Sequence, residues 1–269
     1  MNLTFEICID STAGAIDAAS SGASRVELCT ALFEGGITPS LGLIETTLGA
    51  VTSLRVHVLI RPRGGDFIYD VHEIAAMVRD IEAARAAGAH GVVIGALTPE
   101  GDVDLATMER LVAAAGSMQI TFHRAFDMVA EPRETLETLV RLGCHRVLTS
   151  GQESSALEGA PLIADLVRLA GDRIIVMAGG GVTPRNAARI ADATGVREMH
   201  FAAMVLTASA AVFRNPRTFM GDSLRQSEYI RAVTSRDLIE ATIAAASGAD
   251  GQAVADRAVP GRYRGPAAK

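Results

Sequence analysis

MQITFHRAFD, residues 118–127, begins as an apolar β-type run and ends in His123, Arg124 and Asp127. A buried polar side chain costs free energy unless it is paired. Three ionisable groups at the end of an apolar strand therefore need a structural or a chemical reason. The pattern predicts the end of a buried strand that opens onto a functional site.

Seven further β-type runs accompany this one along the chain. Between them lie Ala- and Leu-rich segments with helical periodicity, such as Leu136, Leu139 and Val140. The alternation predicts parallel strands joined by helices. Eight such units predict an α/β fold, a (β/α)₈ TIM barrel, for which about 250 residues is the usual size. The predicted strands span about residues 3–9, 25–29, 54–61, 91–95, 118–124, 145–149, 173–178 and 197–202.

A doubly wound open sheet is the alternative fold. It would require a Gly-x-Gly-x-x-Gly turn after the first strand, but residues 10–14 there are DSTAG. No domain boundary is visible before residue 205, and a last amphipathic helix near residues 235–247 is expected to close the barrel. We therefore assign residues 1–247 to a single TIM-barrel domain. Residues 248–269 have little apolar content, which predicts a disordered C-terminal tail.

The composition argues against several classes of protein. A net charge of −6 without any Lys/Arg cluster argues against a nucleic-acid partner. No window approaches the roughly 18 apolar residues of a membrane span, and residues 1–6 lack the features of a secretory signal. The three cysteines form no disulfide framework and suit a reducing compartment. We expect a cytoplasmic protein with neither a nucleic-acid nor a membrane partner.

Polar residues collect at the predicted strand ends, where the active sites of such barrels lie. Side chains alternate along a strand, so Glu6 and Cys8 share the inward face of strand one, and Glu27 and Cys29 that of strand two. A purely structural alternative is a self-neutralising ionic core, with Arg61 between Glu6 and Glu27. The candidate barrel-mouth residues are Glu6, Cys8, Glu27, Cys29, Arg61, Arg63, Asp66, His123, Asp127, Thr149 and His200.

Two glycine-rich segments are candidate anion sites. In residues 61–67, two arginines and two glycines let guanidinium and backbone groups approach an anion closely. The alternative for Arg63 is an ordinary surface ion pair with Asp66. The second segment, a triple glycine, ends strand seven and opens helix seven, where many barrels hold a phosphate; a ligand-free turn is its alternative. The candidate anion-binding residues are Arg61, Arg63, Gly179, Gly180 and Gly181.

The cysteines of strands one and two form the candidate metal site. Neighbouring strands lie about 4.8 Å apart, so inward thiols of Cys8 and Cys29 could bind one soft ion such as Cu(I). Buried cysteines also occur as small apolar residues, so a packing role stays open. The sequence has no Cys-x-x-Cys and no His-x-x-x-His motif.

Six segments carry a resemblance to a known family. They are FEICIDS at 5–11, RVELCTALFEGGITPSLG at 25–42, VHVLIRPRGGDFIY at 56–69, TFHRAFD at 121–127, RVLTSG at 146–151 and AGGGV at 178–182. Together they resemble the CutC copper-homeostasis family over about residues 3–247. The resemblance implies a single TIM barrel, cytoplasmic copper handling, copper binding through Cys8 and Cys29, and a homodimer. One departure is Phe201-Ala202-Ala203 after His200, where a Ser is expected.

Two functions remain in competition. The first is a cytoplasmic copper-homeostasis protein that binds Cu(I) through Cys8 and Cys29. The alternative is a TIM-barrel enzyme acting on a small phosphate- or carboxylate-bearing substrate. Arg61 would then hold the anion, and Glu27 or His123 would be the general acid or base. The fold does not discriminate between them.

Overall fold

The computed structural model describes residues 3–215, 217–218 and 228–248. Eight parallel strands close into a barrel in which each strand pairs with the next and the eighth pairs with the first. The fold is therefore a (β/α)₈ TIM barrel, which confirms the predicted class. The strands are β1 Thr4–Ile9, β2 Arg25–Leu28, β3 Arg55–Leu59, β4 Gly91–Ile94, β5 Gln119–Phe122, β6 Arg146–Thr149, β7 Ile175–Gly179 and β8 Glu198–Ala202.

Helices alternate with the strands, and local sequence signals set their ends. Asp70 caps α3 through a capping box with Glu73, Pro132 is the first residue of α5, and Gly195 ends α7 with a left-handed φ of 68°. The helices are α1 Thr12–Ser20, α2 Leu41–Ala50, α3 Val71–Ala86, α4 Leu105–Ala115, α5 Pro132–Arg141, α6 Ala160–Ala170, α7 Ala187–Thr194 and α8 Arg236–Ala246.

The main apolar core fills the space between the barrel and its helices. Outward-facing strand residues such as Ile7, Ile9, Val26 and Leu28 are fully buried in it. Two-residue alternation then directs the polar residues of the same strands into the barrel. Because the helices cover the apolar residues of β1 and β2, the polar residues of these two strands form the inward face, as predicted.

An ionic layer lies inside the barrel. Arg25 forms ion pairs with Glu6 and Glu198, and Arg146 Nε lies 3.0 Å from Glu198 Oε2. Arg61, which the structural alternative placed between Glu6 and Glu27, is not part of this layer; its terminal nitrogens donate to loop carbonyls instead. Arg25 precedes Glu27 by two residues and shares its inward face, whereas Arg61 lies beyond the end of β3.

A two-stranded antiparallel sheet follows the barrel strands and was not predicted. It pairs β9, Met204–Ala208, with β10, Ile230–Thr234. After it, α8 packs against α1 and α7 and closes the helical ring, as expected for a helix near residues 235–247. Of the predicted tail, only Gly248 belongs to the described residues; 249–269 lie outside them. No helix in the described part of the chain has the length and apolar character needed to cross a membrane.

Candidate functional site

A cavity of about 390 Å³ opens at the carboxyl ends of the barrel strands. This is the end at which TIM-barrel sites lie. Side chains from loops after β3, β5 and β7 meet there with side chains from β1, β2 and β8. The lining residues used below are Cys8, Glu27, Leu59, Arg61, Phe67, His123, Arg124, Leu148, Gly180, Gly181, Val182, His200 and Phe201.

Cys8 is the centre of a group of possible metal ligands. Its Sγ lies 3.2 Å from Glu27 Oε2, and His200 Nε2 lies 3.6 Å from the same oxygen. Ligand atoms of Cys8, Glu27 and His200 all lie within 4.8 Å of one another, and all three residues are buried. The group arises because β8, β1 and β2 are adjacent in the barrel.

Cys29 follows β2 directly and approaches Cys8 from the neighbouring strand. The two Sγ atoms lie 3.7 Å apart, and Cys29 Sγ donates a hydrogen bond to Ile9 O at 3.4 Å. The two sulfur atoms are not joined by a disulfide. The structure therefore brings together the two thiols that the sequence analysis paired.

Glu6 lies under His200 and orients its ring. Glu6 Oε1 is 2.8 Å from His200 Nδ1, and Glu6 also pairs with Arg25. Burial alone would raise the pKa of Glu6, but Arg25 and His200 together hold it well below its usual range. Glu6 is therefore an anion in the barrel interior, and it directs His200 Nε2 towards Glu27 and Cys8.

Cys8, Glu27 and His200 have raised pKa values. The hydrogen bond with Cys29, burial and the nearby Glu27 carboxylate raise the pKa of Cys8 well above its usual value. Burial and repulsion by Glu6 raise the pKa of Glu27. For His200, burial lowers the pKa, but attraction to Glu27 and Glu6 outweighs it and the net direction is upward. The Cys8 thiol thus retains its proton at neutral pH, and binding of a cation would displace it.

His123 directly follows β5 and lines the cavity from the side opposite β1. Its Nδ1 accepts a hydrogen bond from Ala125 N at 3.1 Å, and its ring centroid lies 4.9 Å from that of Phe67. A Cβ atom on Gly95 would lie 2.6 Å from His123 Cε1, so the ring depends on glycine at that position. Burial, reinforced by the charge of Arg61, lowers the pKa of His123 to about 3. The ring is therefore neutral at neutral pH.

Arg61 joins the loop after β2 to the loop after β3. Its Nη1 donates to Glu34 O at 2.7 Å and to Gly36 O at 3.0 Å, and its Nη2 donates to Gly65 O at 2.8 Å. Its Nε is buried without a hydrogen-bond partner among the described residues. Arg61 is thus both a structural link and a lining residue with a free donor.

Two of the three candidate glycines line the cavity. Gly180 and Gly181 adopt left-handed φ angles of 103° and 68°, and both contribute to the wall. Gly179 instead ends β7, where a Cβ atom would lie 2.5 Å from Leu148 Cδ1. The glycines were expected to open helix seven, but α7 begins at Ala187. Loop amides, rather than a helix N-terminus, therefore border the cavity.

Four of the predicted barrel-mouth residues are held outside the cavity by their partners. Arg63 Nη1 lies 3.0 Å from Asp66 Oδ1, the surface pair that was the alternative for these residues, and Arg63 Nε lies 2.5 Å from Glu73 Oε1. Asp127 Oδ1 accepts hydrogen bonds from Thr149 Oγ1 at 2.5 Å and from Ser150 N at 3.0 Å. These contacts stabilise the loops around the mouth.

Three arginines were absent from the predicted site residues, although Arg124 lies in the stretch that predicted the site. Arg25 and Arg146 belong to the ionic layer beneath the site. Arg124 lines the cavity, while its Nε lies 2.7 Å from Asp127 Oδ2 and its Nη2 donates to Ser150 Oγ at 2.7 Å. Two-residue alternation from Glu27 identifies Arg25. Arg124 was part of the opening stretch, but no pattern distinguished it from a surface residue.

Comparisons with known proteins agree with this architecture. The sequence model of the CutC family matches residues 3–205. The family protein CutC of Mesorhizobium japonicum is 49% identical over 241 residues, which cover 90% of this chain and 93% of that protein. The copper homeostasis protein cutC homolog of Homo sapiens is 49% identical over 229 residues, or 85% of this chain and 84% of that protein. A solved CutC structure from Streptococcus agalactiae matches with a TM-score of 0.71 at 34% identity, covering 74% of this chain and 98% of that chain.

Proposed function

This chain belongs to the CutC family, and we propose that it is a copper-homeostasis protein that binds Cu(I) through Cys8 and Cys29. The observation that carries the proposal is the 3.7 Å separation of the two Sγ atoms. Soft thiolate ligands favour Cu(I) over hard cations. The name of the human relative, a copper homeostasis protein, supports the same choice of metal.

The sulfur separation also favours a particular coordination. With metal–sulfur bonds of about 2.3 Å, sulfur atoms 3.7 Å apart subtend an angle of about 107° at the ion. A linear two-coordinate ion would need its sulfurs about 4.6 Å apart. The bent arrangement leaves room for a third ligand. His200 Nε2 belongs to the same group as Cys8 Sγ, and imidazole is a good ligand for copper.

The surroundings of the thiols support a dedicated ion site. Glu6 holds His200 Nδ1 at 2.8 Å, as the carboxylate partners of metal-binding histidines do. Glu27 adds a carboxylate 3.2 Å from Cys8 Sγ. Binding of the ion requires deprotonated thiols, so uptake of Cu(I) releases protons.

An anaerobic competition titration of Cu(I) against a chromogenic chelator tests the proposal. We expect one ion per chain in the wild-type protein and at least tenfold weaker binding in Cys8→Ser and in Cys29→Ser. Cys144→Ser is the matched control, because Cys144 is also a buried free cysteine but packs in the main apolar core. Equal binding by all four proteins would contradict the two-cysteine site.

We further propose that the protein acts in the cytoplasm as a homodimer. The odd number of cysteines, which forms no disulfide framework, supports a reducing compartment, and the apolar share of 49% supports association. Fractionation of cells and light scattering of the purified protein test the two statements. The enzymatic alternative stays a prediction. With a pKa of about 3, His123 is poorly suited to act as its general base near neutral pH.

A further inference from the structure

The cavity wall across from Cys8 has a different chemistry from the thiol centre. Cys8, Glu27 and His200 come from the adjacent strands β1, β2 and β8. His123 follows β5, which is four strands away from β1 in either direction around the barrel. Arg61 and Gly180 follow β3 and β7 and flank this far side. We refer to His123, Arg61, Gly180, Gly181 and Arg124 as the donor wall.

His123 lines the cavity and carries a buried hydrogen-bond donor. Its Nδ1 accepts from Ala125 N at 3.1 Å and therefore carries no proton in the neutral ring. The single ring proton then resides on Nε2. This nitrogen is buried and has no hydrogen-bond partner among the described residues. A buried donor without a partner costs free energy, and an acceptor in the cavity would remove that cost.

Arg61 presents a second buried donor. Three carbonyl oxygens accept from its terminal nitrogens, but Nε–H has no partner within the described part of the chain. The rings of Phe67 and His123 lie 4.9 Å apart, and Arg61 Cζ lies 5.0 Å from the Phe67 centroid. The two unpaired donors therefore flank one aromatic ring. Both belong to side chains that are more than nine-tenths buried.

The glycine loop and Arg124 add further hydrogen-bond donors to this wall. Within the described residues, no backbone hydrogen bond uses the N–H groups of Gly180 or Gly181. A Cβ atom on Gly180 would lie 3.4 Å from Arg124 Cζ, which places the guanidinium beside the loop. Arg124 engages Asp127 and Ser150 through Nε and Nη2, and its Nη1 makes no hydrogen bond with any other described residue. The wall thus offers N–H donors and positive charge.

We propose that the donor wall binds a small organic oxyanion, a carboxylate or a phosphate monoester. Two buried, unpaired donors with backbone N–H groups and guanidinium groups match the several acceptor oxygens of such an anion. A cavity of about 390 Å³ exceeds the needs of an inorganic ion and lies within the usual range for organic ligands. The apolar lining residues Leu59, Phe67, Leu148 and Phe201 suit the carbon skeleton.

Calorimetric titration of the metal-free protein tests this proposal. Phenyl phosphate and benzoate are the two anionic probes, one for each kind of oxyanion. Benzyl alcohol is the neutral control. We expect saturable one-to-one binding of at least one anion and none of the alcohol. His123→Phe keeps an aromatic ring but removes the Nε2 donor. This variant should bind the anion about tenfold or more weakly than the wild type, because hydrogen bonds to charged groups are stronger than those between neutral groups.

His145→Phe is the matched control. His145 Nδ1 also accepts a backbone hydrogen bond, from Ile120 N at 3.1 Å, but its ring is outside the cavity. This variant should bind the anion like the wild type. A second variant, Arg124→Gln, should weaken binding severalfold, and it carries the test if His123→Phe does not fold. Thermal melts of each variant establish folding.

Three results would overturn the proposal. These are no saturable binding of either anion at millimolar concentration, equal binding of the alcohol, and full affinity in the folded donor-wall variants. The test is separable from that of the Cu(I) site. Cys8→Ser should lose Cu(I) and keep the anion, whereas His123→Phe should lose the anion and keep Cu(I). Failure of one proposal therefore leaves the other intact.

Discussion

Glu6 Oε1 lies 2.8 Å from His200 Nδ1 and fixes the orientation of the histidine beside the two cysteines. Glu6 is fully buried, and its carboxylate is held ionised by Arg25 and His200 against the effect of burial on its pKa. A carboxylate in this position keeps the proton of a neutral imidazole on Nδ1, so that Nε2 is free to coordinate an ion. The ionic layer of the barrel thereby contributes directly to the proposed copper site.

Replacement of Glu6 by Gln is expected to weaken Cu(I) binding about tenfold. The amide retains the shape of the side chain but not the charge that orients His200 and favours a bound cation. Glu198→Gln is the control, because Glu198 also pairs with Arg25 but forms no hydrogen bond or ion pair with His200. Competition titrations of both variants are compared. Equal losses in the two would mean that general damage to the ionic layer, rather than the Glu6–His200 contact, controls affinity.

The ionic layer itself should be essential for stability. Arg25→Met leaves Glu6 and Glu198 without their shared partner in the barrel interior, and removal of one member of a buried ion pair costs about 3–5 kcal/mol. Arg63→Met is the contrasting variant. Its ion pairs with Asp66 and Glu73 are partly exposed, so its loss should cost about 1 kcal/mol or less. Denaturant unfolding measures both, and similar costs would contradict the assigned roles.

The sequence predicted the barrel because its signals are local and repeated. Each strand–helix unit has its own apolar run and its own turn residues. A misplaced boundary in one unit therefore does not change the assignment of the others. The inward face of β1 followed from simple alternation, and the structure confirms that Ile7 and Ile9 are in the outer core. The paired thiols followed from that face and from the adjacency of β1 and β2.

The contacts of the arginines could not be predicted in the same way. Arg25, Arg61 and Arg124 have long side chains whose partners come from distant segments, such as Glu198 for Arg25 and Glu34 for Arg61. Strand alternation gives the face of a residue but not the depth of its charged group within the barrel. The structural alternative therefore placed Arg61 in the ionic core that Arg25 occupies. The pairing of β9 with β10 was missed because no strand was assigned between the eighth barrel strand and the last helix.

Gly95 should control the position of His123. A Cβ atom there would lie 2.6 Å from the His123 ring, so Gly95→Ala must displace the ring or the strand end. Overpacking of this kind costs about 1–3 kcal/mol. We expect weaker phenyl phosphate binding with Cu(I) binding unchanged. Gly49→Ala is the control, because Gly49 lies within α2 with open space around it, and it should gain about 0.5–1 kcal/mol. Unchanged anion affinity in folded Gly95→Ala would exclude a positioning role.

His57 should make stability depend on pH in mildly acidic solution. Its ring is fully buried within the barrel, and both ring nitrogens lack a hydrogen-bond partner among the described residues. Burial, with Arg25 and Arg146 nearby, lowers the pKa of His57 from 6.5 to about 3 in spite of attraction to Glu6. Between these two values the unfolded chain binds one more proton at His57 than the folded protein does. Stability contributed by the neutral ring is therefore present above pH 6.5 and falls as the pH decreases towards 3.

Replacement of His57 by Leu should remove this contribution. As the pH falls from about 6 to about 4.5, the free energy of unfolding of both proteins is measured. That of the wild type should decrease by about 1.4 kcal/mol per pH unit more than that of His57→Leu. Denaturant unfolding at several pH values measures the two slopes, and a change in stability that is the same at every pH does not affect the comparison. His72→Leu, a change at an exposed position on α3, should keep the wild-type slope. Parallel curves for wild type and His57→Leu would show that the buried ring takes up its proton without unfolding, through a rearrangement that gives it water or an acidic partner.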